Sequence, residues 1–267
     1  MSGSITSKIE RYLELLATDV FRVETRWPQF QLLLDDMREL SQSDGGEDVV
    51  VSIERNALYG GVSLFAPLFQ HCQFSSVDFS PEVNLTRGAY KSHLLSRIRM
   101  EFGEQFLASP SLFQFSQAGL RPNLVVIPNL LHHIPKPWEF FDQHVSPLGA
   151  EIIYIFDSTL REWHQISDDY CRMTPFALEE LMSGRGYELV STKTTGGPFS
   201  AVLYCWEQAL EYLKADESLY ERYSAWINDT HKKELLELED KFTINIERPT
   251  SRFPTAYSVR FRKVEAA

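Results

Sequence analysis

Acidic residues that end buried strands, and a pair of adjacent histidines, are the groups in this chain best placed to do chemistry. Glu54 closes the run Asp48-Val-Val-Val-Ser-Ile-Glu54, and Asp78 closes the segment Cys72 to Asp78; both segments read as strands of a parallel sheet. A carboxylate at such a tip can accept hydrogen bonds from two neighbouring hydroxyls, as on a ribose. Gly60-Gly61, in the turn after Glu54, would let backbone pass close to a nucleoside. The same residues also fit solvated loop acids and an ordinary turn. His132 and His133 follow a third apolar run, Asn123 to Pro128. An imidazole there can take a proton at neutral pH, or it can simply shape the cleft. Asp157, Arg161 and His164 follow a fourth run and border the same cleft, with Asp157 also suited to capping the loop behind it. His132, His133, Asp157 and His164 match metal-ligand types, but adjacent histidines diverge and no paired spacing supports a site. No metal is expected.

The elements that must position these groups follow from periodicity. Ile5, Ile9, Leu13, Leu16 and Val20, then Leu32, Leu33, Met37 and Leu40, recur at helical spacing, with a break near Trp27-Pro28. A polar linker, Ser41 to Asp48, ends this part. Strand and helix patterns then alternate. Val62, Phe65, Ala66 and Phe69 mark a helix face, and Ser80-Pro81 starts a helix running to about Phe102. Phe113 to Phe115 reads as a short strand, Pro137 opens a short aromatic helix, and Glu151 to Asp157 is a strand. Thr174-Pro175 starts a helix ending at Gly184 or Gly186, and Glu188 to Thr194 is a strand. Such alternation implies a parallel sheet covered on both faces. The tail breaks the pattern: a helical stripe from Phe199 to Leu213 and a charged helix from Glu217 to Lys241 precede a last strand, Thr255 to Lys263.

With 26 basic against 37 acidic side chains, the net charge is −11. That balance argues against nucleic acid and anionic membranes as partners. No apolar run reaches the ~20 residues of a spanning helix, and Met1 to Val20 lacks a secretory apolar core. Cys72, Cys171 and Cys205 are too few and too scattered for a disulfide framework. A cytoplasmic location is expected.

Several segments together resemble the class I S-adenosylmethionine-dependent methyltransferases, particularly those acting on small molecules. They are Val49 to Glu54 with Gly60-Gly61, Ser76-Val-Asp-Phe-Ser-Pro-Glu82, and Asn123 to Pro137 with its Leu-His-His-Ile-Pro stretch, followed by Gly149 and the strand ending at Asp157. The likeness spans roughly residues 47–195. It implies a Rossmann-like α/β fold: a seven-stranded, mostly parallel sheet whose antiparallel last strand inserts beside the sixth. The implied organisation is a helical lid at 1–46, a cofactor-binding core at 47–196, a helical insertion at 197–241 and the completing strand at 242–267. Carried over by position, the resemblance puts Glu54 at the methionine amino group or ribose and Gly60-Gly61 under S-adenosylmethionine. It likewise puts Asp78 on the ribose hydroxyls, Phe79 on the adenine, Gln117 and Ala118 at the adenine edge, and Asn129 at the methionine moiety. His132 or His133 would be the base. The family's acid-x-Gly-x-Gly-x-Gly pattern is replaced by Glu54-x-Asn56-x-Leu58-x-Gly60. Asn56 tolerates left-handed angles, whereas Leu58 places a branched side chain where close backbone approach is expected. The implied activity is methyl transfer to a small molecule, as in specialised metabolism, with the helical additions as a candidate homodimer contact. A catalytically silent, methyltransferase-like assembly partner is the alternative.

Overall fold

The structure, a computed structural model, describes residues 5–17, 27–42, 48–55, 63–79, 100, 121–161, 169–243 and 254–264. One sheet is built from β1 (Val49–Glu54), β2 (Gln73–Asp78), β3 (Leu124–Pro128), β4 (Ile152–Ser158), β5 (Tyr187–Thr195) and β6 (Ala256–Lys263). Its order is β2-β1-β3-β4-β6-β5. The first four strands are mutually parallel, and β6 runs antiparallel to both β4 and β5. This is the Rossmann-like arrangement, with the antiparallel strand inserted one place in from the edge. The described residues supply six strands, not seven. The expected strand at Phe113 to Phe115 and the helix starting at Ser80-Pro81 fall outside them, Met100 apart.

Runs such as Val49-Val-Val-Ser-Ile form central strands because both faces are covered. On one face Val50, Val126, Tyr154, Phe156 and Ala256 pack under α1 (Ile5–Leu15) and α2 (Trp27–Ser41). The stripe Ile9, Leu13 and Leu16 is buried there, and the Tyr12 hydroxyl donates to the Leu64 carbonyl at 2.7 Å. The described parts of these helices bury their apolar stripes against the sheet. A hydrophobic stripe shows that one helix face is covered, not which surface covers it.

Charge fixes how α2 sits. Asp36, 1% exposed, accepts from the Tyr154 hydroxyl at 3.0 Å and from Lys193 Nζ at 2.7 Å. One turn along, Glu39 accepts from Lys193 and Arg260. These contacts hold its carboxyl below the usual range, the Lys193 hydrogen bond being the strongest influence. The same helix is thus tied to β4, β5 and β6.

On the opposite face Val51, Ile53, Val77, Ile127, Ile155 and Tyr257 pack with Phe140, Phe141, Leu178 and Met182, which belong to α3 (Pro137–Phe140), the turn after it, and α4 (Pro175–Ser183). Thr174 caps α4 by accepting from the Ala177 N–H, as the Thr-Pro signal predicts. Among the described residues between β1 and β2, the part of the expected helix from Phe65 to Phe69 forms a 3-10 turn, Ala66–Phe69; Val62 lies outside them. The Ser63 hydroxyl caps this turn by accepting from the N–H groups of Phe65 and Ala66, and β2 begins soon after it at Gln73.

The tail folds as α5 (Pro198–Leu213), α6 (Glu217–Ala225) and α7 (Lys232–Thr243) around Leu203, Leu210 and Ile227. A wide π-type turn, Trp226–His231, interrupts the charged helix read over 217–241. Among the described residues, no helix is long and apolar enough to cross a membrane.

Replacing Asp36 with alanine takes the acceptor away from the buried Tyr154 hydroxyl and half the anchor from Lys193. We expect Asp36→Ala to lower unfolding free energy by about 2 kcal/mol. Urea denaturation checks this; an unchanged midpoint contradicts it.

Candidate functional site

In an open sheet, ligands settle beyond the carboxyl ends of the strands where the strand order reverses. Here the chain passes from β1 outward to β2 and then returns to the other side of β1 with β3, so the reversal lies between β1 and β3. Glu54, Asp78 and Asn129 stand at or just beyond those strand ends.

Parallel register sets Glu54 directly opposite Asp78. The Glu54 carboxyl is 4% exposed. It accepts from the Ser63 hydroxyl at 2.5 Å and from the Leu64 N–H at 3.3 Å. Burial pushes its pKa up to about 7; hydrogen bonding from Ser52, Ser63 and the Leu64 N–H pulls the other way, and Asp78 adds a smaller like-charge push upward. Ser63 was not among the residues singled out from sequence. A serine nine positions past a strand-end acid is the only signal, and it means nothing until the turn is folded. Glu54 thus serves the chain's own turn as well as facing the strand ends.

Phe79 follows Asp78, its N–H donating to the Glu54 carbonyl at 2.8 Å. Its partly buried ring meets Phe140 and His144 edge-on, with centroids 4.9 and 5.3 Å apart. Asn129 has φ +54°, unlike every other non-glycine residue described. Its N–H donates to the Phe156 carbonyl at 2.7 Å, which anchors the left-handed turn. Backbone strain of this kind collects at functional sites.

Beside Asn129 lies a buried pair. His132, 1% exposed, places Nδ1 2.7 Å from Asp157 Oδ1, and its backbone N–H donates to Oδ2 at 3.0 Å. Asp157 also accepts from the Ser158 N–H at 2.8 Å. Burial alone would raise this carboxyl, but its interaction with His132 and the hydrogen bonds it accepts outweigh that and hold the group below the usual range. An ionised carboxylate only accepts, so Nδ1 carries the proton. Nε2 then faces Arg161 Nη1 at 3.4 Å, and that guanidinium also reaches Asn129 Oδ1 at 3.4 Å. The His133 ring lies tilted at 44° against His132, with ring centroids 3.9 Å apart, and is less deeply buried. From behind, the Tyr170 N–H donates to the His132 carbonyl and Cys171 Sγ approaches the carbonyls of Leu131 and Ile134. Burial first, and Asp157 second, push the Cys171 thiol up to about 11, which makes it no nucleophile at neutral pH.

The structure therefore brings together Glu54 and Asp78, and separately Asn129, His132, His133, Asp157 and Arg161. Gly60, Gly61, Gln117, Ala118 and His164 lie outside the described residues. Among the described residues no cluster of three metal-ligating side chains occurs. Cavities of about 460 Å³ along α5 and about 570 Å³ between α1 and α2 are lined by other residues.

No protein-family model matches the chain, and no curated protein matches it. Solved structures do. Coclaurine N-methyltransferase bound to N-methylheliamine and S-adenosylhomocysteine is 12% identical, with TM-score 0.48, over 97% of this chain and 87% of that one. Magnesium protoporphyrin IX methyltransferase from Synechocystis PCC 6803 with bound S-adenosylmethionine is 15% identical, with TM-score 0.44, over 74% and 93%. The 4+2 cyclase SpnF is 12% identical, with TM-score 0.47, over 99% and 97%. Identities this low leave the chemistry to be read from this chain's own residues. By its strand order and inserted antiparallel strand, the chain has a Rossmann-like α/β fold.

Asp157 is depressed in the folded state, so its stabilisation is present above the ordinary carboxylate range and is lost as pH falls through the lowered value. Asp157→Ala should cost about 3 kcal/mol at neutral pH, and the gap from wild type should close below about pH 4. Urea titrations across pH measure this; a gap that persists in acid contradicts it.

Proposed function

We propose that this chain is an S-adenosylmethionine-dependent methyltransferase acting on a small molecule. The observation that carries the reading is the register that sets two carboxylates, Glu54 and Asp78, side by side at the reversal point of the sheet. The residues fit the cofactor. Asp78 can accept from ribose hydroxyls, the Phe79 ring is only partly buried against its own neighbours and so can pack on an adenine, and Asn129 can face the methionine end. Gly60-Gly61 would run beneath it, with Gln117 and Ala118 at the adenine edge. When bound, the cofactor supplies an electrophilic methyl group.

The chain's own part is to orient the acceptor, exclude water and take a proton. A hydroxyl acceptor must shed its proton as its oxygen gains the methyl group, and an ammonium must shed one beforehand to expose the nitrogen lone pair that attacks. His132 and His133 are the residues for that proton. Asp157 holds His132 by its Nδ1–H and leaves Nε2 as the lone-pair side, while the less buried His133 is the easier of the two to reach. Fixing a ring from its far nitrogen is how a carboxylate orients a histidine base.

In this reading residues 47–196 are the cofactor-binding core, completed by 242–267, and 197–241 are an insertion that limits acceptor access. Residues 1–46 add the helical layer beneath it. Specialised metabolism in the cytoplasm fits the acidic chain. Val202 and Trp206 are 46% and 39% exposed on one side of α5, which carries no charge from Pro198 to Trp206. An acidic chain meets a second copy with least repulsion at such a face, so α5 is the proposed dimer contact.

Isothermal titration with S-adenosylhomocysteine tests the reading. Binding should be micromolar in the wild type and at least about 100-fold weaker in Asp78→Ala, the loss of two charge-assisted hydrogen bonds. No heat at millimolar ligand overturns it and favours a silent binding partner.

A further inference from the structure

The Ser63 hydroxyl has one proton and two lone pairs. Both lone pairs face backbone donors, the N–H groups of Phe65 at 3.1 Å and Ala66 at 3.2 Å. The proton is all it can offer to Glu54 Oε1, 2.5 Å away, and Oε2 receives the Leu64 N–H. The turn is therefore built for an ionised Glu54: a protonated Oε1 would have to donate to a hydroxyl whose lone pairs are already committed. The sheet is built for the opposite. Glu54 is buried, and Asp78 from β2 presents a second negative charge across the register. Arg55 is the charged neighbour on its own chain, and the described turn packed against it, Ser63 to Phe69, brings no titratable group. The two demands nearly balance, which agrees with a carboxyl displaced to about 7.

We propose that the Glu54–Ser63 contact couples occupation of this strand-end site to release of a proton from Glu54, with Ser63 as the positioning residue. This rests on the cofactor reading above. A ligand that brings hydroxyl donors or a positive charge to the Glu54–Asp78 tip stabilises the ionised carboxylate. The neutral acid then gives its proton to solvent as the ligand arrives. The sign follows: the ligand prefers the ionised form, so affinity is full above the carboxyl's own titration and falls below it.

The experiment is calorimetric titration of the whole chain with S-adenosylhomocysteine at pH 6, 7 and 8, each in two buffers of different ionisation enthalpy. Wild type should release close to half a proton at pH 7, and its affinity should drop about tenfold from pH 8 to pH 6. Ser63→Ala, which keeps the acid but removes its donor, should bind more weakly at pH 7 and recover by pH 9. E54Q should bind without proton release and without that pH dependence. Because Ser63→Ala could loosen the turn, the Glu54 carboxyl is also followed by carbon NMR in ligand-free protein; its midpoint should move upward in that variant. Binding with no proton release, or release that survives in E54Q, overturns the coupling alone. No binding at millimolar ligand at any pH overturns the cofactor reading and the coupling with it.

Discussion

Two carboxylates forced side by side by parallel register are the constraint on which the working end of this molecule depends. Glu54 and Asp78 are paired at the ends of adjacent strands, and one of them is almost wholly shielded from water. Like charges at that spacing must be compensated or neutralised. The Ser63 turn supplies part of the compensation from within the chain. A ligand rich in hydroxyl donors, or carrying a cation, supplies the rest. The acids therefore make the tip receptive to a nucleoside-like group rather than to an anion.

The neighbouring cluster is solved differently. Asp157 lies as deep as Glu54 but receives three donors, two of them from His132, and stays ionised. The pair closes the end of β3 onto the end of β4, fixes the imidazole ring, and sets Asn129 in its left-handed turn next to Arg161. One sheet edge thus holds two acids in opposite electrostatic regimes, one close to neutrality in both senses and one firmly charged. Strain at Asn129 and burial of the Asp157 carboxylate are tolerable because Thr255 and Tyr170 brace the strand ends through backbone hydrogen bonds.

Much of this was readable in the sequence. Runs such as Val49 to Glu54 and Ile152 to Asp157 are continuous and β-branched because each faces a core on both sides, so strand positions emerged within a residue or two. The Thr174-Pro175 start was equally plain, since a cap and a first-turn proline act locally. What escaped is what requires folded distance. The Val62-to-Phe69 stripe reads as a helix, but its described part, from Ser63 on, is a tight 3-10 turn capped by the Ser63 hydroxyl. The stripe Ile9, Leu13 and Leu16 gave a buried face without its partner, which is the sheet face holding Val50, Val126 and Tyr154. At the site, Glu54 and Asp78 were legible as strand-end acids, whereas the Glu54–Ser63 bond and the His132–Asp157 pair join residues 9 and 25 positions apart and exist only once the strands are in register.

The most direct measurement of the central claim is a crystal structure of the chain grown with S-adenosylhomocysteine. The account requires ribose oxygens within hydrogen-bond distance of Asp78 and the adenine against Phe79, with the amino-acid end toward Asn129. Density for the ligand elsewhere, or protein side chains filling the space between the β1 and β3 ends, would contradict it.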